Sequence, residues 1–303
     1  MLRIAPPSNV RPIRAIVLLA IAAIIGAPLP AAAQGFGNHQ LYMIRPDGTD
    51  LKQITNRPEL RFGAPSISPD GKRIAADCTP ARLPPQDSQI VVMDVDGSQL
   101  NELGPGSMPS WSPNGELLAF HTYTQSGAIV VMNADGTGRE EVANHWGSPR
   151  WTPQGDKIIC LYPDSSLRLL DLRTGKETAP LGASIGSAYQ GFGVSRDGTK
   201  LCFGDQLVGG LGLATINKNW QVIGVKHYLR NSRCTFCSFS PDGSQIVFSQ
   251  QPDDRPAAQV YILDVESDKP ARWLPEQSPD AANVNPQWSP DGEWIIFTSD
   301  LPE

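Results

Sequence analysis

Apolar and polar residues alternate along most of the chain, and tight turns interrupt the alternation at regular intervals. One apolar residue precedes each of six short turns, and two more follow three and five positions after the glycine that ends the turn. Alternation with a period of two on both sides of a turn is typical of a β-hairpin with one buried face. The pattern therefore predicts an all-β fold after residue 33.

The six turns are copies of one motif, Ser-Pro-Asp-Gly or a close variant. They occupy residues 68–71, 112–115, 152–155, 195–198, 240–243 and 289–292, and their glycines lie 44, 40, 43, 45 and 49 residues apart. Pro sets φ for the turn, Asp or Asn bonds its own backbone, and Gly accepts a positive φ. Six copies at such a regular spacing indicate an internal repeat.

A second hairpin fits between successive motifs. Its first strands are predicted at 40–44, 89–93, 128–132, 167–170, 212–216 and 259–263. Two hairpins in each repeat of about 44 residues give four strands, which are the dimensions of a propeller blade. The hairpin at 40–55 and the hairpin at 285–299 complete one blade between them. The sequence predicts a six-bladed β-propeller over 40–303, closed by pairing of its terminal hairpins.

The N-terminal segment has the features of a secretory signal. Arg3, Arg11 and Arg14 precede an apolar run at 15–25, and Ala31 to Ala33 offer small residues for cleavage. A transmembrane anchor is the alternative, but the run is shorter than the ~20 residues that span a bilayer. We expect a signal peptide at 1–33, a lead-in at 34–39, and a periplasmic or secreted protein without membrane insertion.

Charge narrows the range of partners. Removal of the signal segment leaves 22 basic and 31 acidic side chains, a net charge of -9. An acidic surface repels phosphate backbones, so nucleic acid is not an expected partner. The five cysteines are an odd number, and Cys160 and Cys202 lie in apolar strand patterns. Cys234 and Cys237 have CxxC spacing, but no helix is predicted after them and no second pair completes a zinc site, which favours a structural role over metal or redox chemistry.

The repeated motif, each copy followed by a strand and an Asp-Gly turn, resembles the WD-like repeats of the TolB propeller family over residues 40–299. The resemblance implies a periplasmic protein of the Tol–Pal type, whose propeller binds the lipoprotein Pal. TolB carries an α/β domain ahead of its propeller. We expect this chain to lack it, because about six residues separate the predicted cleavage site from the first strand.

Catalytic patterns are weak. Residues 182–186 match Gly-x-Ser-x-Gly, but no helix is predicted to follow them, as a nucleophile elbow requires. The four histidines form no His-x-His or His-x-x-x-His pair for a metal, and the Asp94 to Gly97 run suits a hairpin turn better than a calcium loop. We predict a monomeric, non-catalytic binding or scaffold protein without cofactor or metal. A carbohydrate lyase or hydrolase with its site in the channel is the alternative.

Candidate binding residues come from equivalent positions ahead of the innermost strand of each blade, where loops open at the channel mouth. These positions supply the predicted rim: Arg61, Phe62, His145, Trp146, Tyr189 and Arg233. Aromatic and Arg side chains are enriched at binding hot spots. The alternative is that they pack between neighbouring blades.

Overall fold

The computed structural model describes residues 37–301, apart from 124–125, 146, 163, 179–180, 182–190, 206 and 268. The predicted signal peptide therefore lies outside the described residues. Within the described part of the chain, no helix has the length and apolar content that crossing a membrane requires. One short 3-10 turn, Pro85–Asp87, is present among the strands.

Twenty-five described strands form six antiparallel sheets. In chain order they are β1 (Gln40–Ile44), β2 (Lys52–Gln53), β3 (Leu60–Phe62), β4 (Ser66–Ile67), β5 (Arg73–Pro80), β6 (Gln89–Asp94), β7 (Asn101–Pro105), β8 (Ser107–Trp111), β9 (Leu117–Thr122), β10 (Ala128–Asn133), β11 (Glu140–Ala143), β12 (Arg150–Trp151), β13 (Lys157–Leu161), β14 (Leu167–Asp171), β15 (Lys176–Glu177), β16 (Gly193–Val194), β17 (Lys200–Gly204), β18 (Leu211–Ile216), β19 (Val222–Tyr228), β20 (Arg233–Phe239), β21 (Gln245–Gln251), β22 (Gln259–Asp264), β23 (Arg272–Trp273), β24 (Asn283–Trp288) and β25 (Ile295–Ser299).

Each sheet is one blade. Blade 1 contains β3 to β7, and its inner edge is divided between β3 and β4, which both pair with β5. Blades 2 to 5 follow with four consecutive strands each, beginning at β8, β12, β16 and β20. Blade 6 has the order β2-β1-β25-β24, so the first and last strands of the propeller share a sheet. The predicted six-bladed propeller and its closure are confirmed.

The closing blade is held by a full antiparallel ladder. Gln40 lies opposite Ser299, and Ile44 lies opposite Ile295, with every intervening residue paired. The rings of Tyr42 and Phe297 stack across this ladder with centroids 6.0 Å apart. Pairing of the terminal strands closes the ring and leaves no free edge between β1 and β25, and such closure protects propellers from edge-to-edge aggregation.

The repeated motif forms each inner hairpin through local hydrogen bonds. In the first copy, Ser68 Oγ donates to Asp70 Oδ1 at 2.6 Å and accepts the Arg73 amide at 2.9 Å. The motif glycine Gly71 adopts a φ of 72°, which an L side chain rarely does. These hydrogen bonds join residues within a six-residue segment, so the local sequence is sufficient to specify the turn.

Apolar burial lies between the blades. Among the described residues, six clusters each join two neighbouring blades. One of them unites Leu41 and Ile296 of blade 6 with Ile74 and Val91 of blade 1. A single blade cannot cover its own faces, so stacking of neighbours makes the core.

Candidate functional site

The innermost strands surround a central cavity of about 220 Å³. Strand β4 contacts β8 and β24, β8 contacts β12, and β20 contacts β16 and β24. All six blades contribute the residue that lies two positions before the motif Ser or Thr. These residues are Ser66, Ser110, Arg150, Gly193, Ser238 and Gln287. We call this space the chamber.

Period-two alternation explains why this position faces the channel. The next residue in each strand is apolar and packs against a neighbouring blade, as Trp111 and Trp151 do at 6% and 7% exposure. Trp111 Nε1 donates to Ser66 O at 3.1 Å, and Trp151 Nε1 donates to Ser110 O at 3.0 Å. These indoles link the inner strands of blades 1, 2 and 3 and hold the chamber wall in place.

Arg150 is the only charged residue among those described as lining the chamber. Its Nη1 donates to Pro149 O at 2.9 Å. Removal from water lowers the pKa of its guanidinium from 12.5 to about 10. The group therefore stays positively charged at neutral pH, in a chamber otherwise lined by neutral polar and apolar groups.

The channel narrows on the side where the innermost strands begin. Three of these strands shift register by a β-bulge, and the bulged residues Met108, Phe236 and Asn285 have φ values of 54°, 48° and 58°. Gly191 occupies the equivalent position in blade 4, with a φ of 77°. A cavity of only about 10 Å³ remains between Phe236, Gly191, Asn285 and Arg150. We call this end the entry mouth, and the end with the motif turns the turn mouth.

Asp77 of blade 1 supports the bulge of blade 2. Its Oδ1 accepts a hydrogen bond of 3.0 Å from the Met108 amide. Burial raises the pKa of the Asp77 carboxyl from 3.8 to about 6, although hydrogen bonds from the Met108 amide and the Ser107 hydroxyl favour the ionised form. The Asp77 carboxylate therefore holds the backbone of Met108 in place at the entry mouth.

The predicted rim residues of blade 1 lie in a strand. Arg61 and Phe62 belong to β3 and lie opposite Thr79 and Cys78 of β5. Phe62 is 2% exposed and packs in the cluster between blades 6 and 1. Arg61 is 9% exposed, and its Nη2 donates to Leu83 O at 2.6 Å.

Of the other four predicted rim residues, the structure describes His145 and Arg233. The His145 ring packs on the Tyr162 ring at 4.2 Å between centroids, and His145 Nε2 lies 3.2 Å from Glu177 Oε1. Arg233 begins β20 and is exposed. Trp146 and Tyr189 lie outside the described residues. The rim as a binding surface therefore stays a prediction.

The described residues give little support to the catalytic and metal-binding patterns considered from the sequence. The Gly-x-Ser-x-Gly segment at 182–186 lies outside the described residues. Across the described ranges, no group of three His, Cys, Asp or Glu side chains is placed to hold a metal ion. The Asp94 to Gly97 run forms the predicted turn, since the Gly97 amide donates to Asp94 O at 2.9 Å. All five cysteines are buried free thiols.

Comparison with known proteins points in one direction. No family model matches the chain. A curated relative, Protein TolB homolog of Chlorobium luteolum, is 32% identical over 160 residues, which are 50% of this chain and 36% of the relative. The match thus covers about a third of that protein's length.

Solved structures agree on the fold. The structure of putative TolB from Agrobacterium tumefaciens superposes with a TM-score of 0.71 at 18% identity, over 89% of this chain and 100% of that one. TolB from Acinetobacter baumannii gives a TM-score of 0.58 at 18% identity, over 92% and 67% of the two chains. A chain of a nidogen/laminin complex gives a TM-score of 0.57 at 11% identity, over 75% of this chain and 89% of that one.

The fold and its channel define a six-bladed β-propeller with a small central chamber. The curated relative and two of the solved structures reported above are TolB proteins. The chain is a TolB-like propeller.

Proposed function

We propose that the chain is an exported, non-catalytic binding module whose entry mouth binds a protein of the cell envelope. The observation that carries the proposal is the shared bulge at this mouth. Met108, Phe236 and Asn285 adopt a positive φ at equivalent positions. Left-handed conformations cost about 1–2 kcal/mol for residues with a side chain. Such strain and β-bulges both concentrate at binding and active sites.

The remaining features of the proposal come from the sequence and the TolB likeness. For export, the segment at 1–33 would act as a signal peptide and be cleaved. The mature protein would then begin with the lead-in at 34–39. A net charge of -9 after cleavage favours a protein partner over nucleic acid. TolB-like propellers bind proteins of the cell envelope, and by analogy we propose a Tol–Pal-like role for this chain, acting as a monomer without a cofactor.

The rim residues are proposed to work in two ways. Arg233 is exposed at the start of β20 and can contact a partner directly. Trp146 and Tyr189 are proposed as aromatic anchors for the same partner. The buried Phe62 and Arg61, and the stacked His145, support the surface from beneath.

Purified protein tests this proposal with a matched pair of arginine variants. Arg233→Ala removes a cation ahead of an innermost strand, and Arg196→Ala removes an exposed cation from a motif turn at the opposite end. The probe is the soluble domain of Pal from the same organism, with an envelope extract as a parallel arm. We expect Arg233→Ala and Trp146→Ala/Tyr189→Ala to weaken capture by about tenfold or more, and Arg196→Ala to leave it unchanged. Equal capture by all variants would refute the entry mouth as the binding surface.

A further inference from the structure

The chamber holds a half-buried cation that no described acid neutralises. No carboxylate in the described part of the chain lies within ion-pair distance of Arg150, and the segment at 182–190 contains no acidic residue. A half-buried charge without an acidic partner gives up part of its hydration, which costs stability. Structural reasons for this residue are weak, because the equivalent positions in the other blades hold Ser, Gly or Gln.

Geometry leaves the guanidinium available to a ligand. Its one described hydrogen bond, from Nη1 to Pro149 O, uses one of five N–H donors. Arg150 lines both the chamber and the narrow cavity beside it. It therefore lies at the end of the chamber nearest the entry mouth, and the turn residues Pro69, Ser112 and Pro113 lie at the other end. A ligand would enter from the turn mouth and meet the guanidinium at the constriction.

Charge and shape select the ligand. A single guanidinium balances one negative charge, and its planar fork matches the two oxygens of a carboxylate. A phosphate carries about 1.5 to 2 negative charges at neutral pH and would leave the excess unpaired in the chamber. Around the charged end, the wall is formed by the neutral polar side chains of Ser66, Ser110, Ser238 and Gln287 together with parts of apolar residues such as Trp111 and Trp151. Such a wall suits a short uncharged body.

We propose that the chamber binds the carboxylate of a small monoanionic ligand with a short, otherwise uncharged body, through Arg150. A cavity of about 150 Å³ accommodates benzene, so about 220 Å³ admits a molecule only slightly larger. The carboxylate belongs either to a free organic acid or to the C-terminus of a short peptide. This site is independent of the proposed entry-mouth partner, because it is reached from the opposite end of the channel.

Intrinsic fluorescence reports binding directly, because Trp111 and Trp151 form part of the wall. The probes are butanoate, its uncharged amide butanamide, and inorganic phosphate, in a buffer free of carboxylates. We expect butanoate to change the fluorescence saturably and to raise the melting temperature, as a ligand of the folded state must. Butanamide and phosphate are expected to do neither. A tripeptide ending in Ala-Val, with a free or an amidated C-terminus, distinguishes a chain end from a free acid.

Variants separate this site from a structural role. Arg150→Met keeps the length of the side chain and removes the charge. It is expected to weaken butanoate binding by about tenfold or more while melting no lower than the wild type, since it removes a half-buried cation without an acidic partner. Arg233→Ala should bind butanoate normally, so loss of the entry-mouth function and loss of this site are distinguishable. Equal responses to butanoate and butanamide in the wild type, or unchanged butanoate binding by Arg150→Met, would overturn the proposal.

Discussion

Asp77→Asn tests whether a buried carboxylate holds the entry mouth at an energetic cost. The pKa of Asp77 is raised from 3.8 to about 6 by burial. At a pH between these two values, Asp77 is protonated in the folded protein and ionised in the unfolded chain. The contribution to stability is therefore complete below about pH 4 and is lost as the pH rises through 6. At about 1.4 kcal/mol for each pKa unit, the loss at pH 7 is about 3 kcal/mol.

The assay is urea unfolding of wild type and Asp77→Asn from pH 4 to pH 7.5. Asn cannot ionise, so its free energy of unfolding should not contain this pH-dependent loss. We expect the free energy of unfolding of the variant to rise relative to that of the wild type by up to about 3 kcal/mol as the pH rises. Most of this change should fall between pH 4.5 and 6.5. Part of the gain is offset because the amide presents one acceptor oxygen where the carboxylate presents two. A difference between the two proteins that stays constant with pH would refute the reasoning.

Three further changes test the packing around the channel. Gly191→Ala places a Cβ 2.4 Å from Phe236 Cδ1 at a φ of 77°, whereas Gly243→Ala has a φ of 72° and no neighbour within 4 Å; in urea unfolding the first should cost at least about 1 kcal/mol more, and equal costs would contradict a tight constriction. Phe297→Ala in the closing blade should cost about 3–5 kcal/mol and speed amide exchange in β1, and unchanged exchange there would argue against the latch. Burial lowers the pKa of His121 from 6.5 to about 4, so stability present above pH 6.5 is lost as the pH falls through 4. His121→Phe should remove that loss of about 3 kcal/mol in unfolding measured from pH 7 to 4, and an unchanged slope would contradict it.

The blades could be predicted because their determinants are local. Ser68, Asp70 and Arg73 complete the turn within six residues, and period-two burial follows directly from strand geometry. Pairing of the terminal hairpins followed from counting half-blades. These parts of the fold needed no knowledge of contacts between distant residues.

The channel could not be predicted in the same way. The bulge at Met108 depends on a carboxylate 31 residues earlier, in the neighbouring blade. The period-two pattern does place Arg150 beside the channel, and its contrast with Ser, Gly and Gln in the other copies was a usable signal. Its isolation from acids becomes visible only when six strands meet. Arg61 and Phe62 were expected in a loop, but strand pairing with β5 extends through them and buries Phe62.

The entry mouth as a binding surface is tested most directly by cross-linking in the living cell. A photoreactive phenylalanine analogue replaces Arg233 at the entry mouth in one strain and Arg196 at the turn mouth in another. Both positions are exposed, so both report whatever lies next to them. The account predicts a discrete adduct with an envelope protein from position 233 and none from position 196. Equal adducts from both positions, or an adduct from position 196 alone, would contradict it.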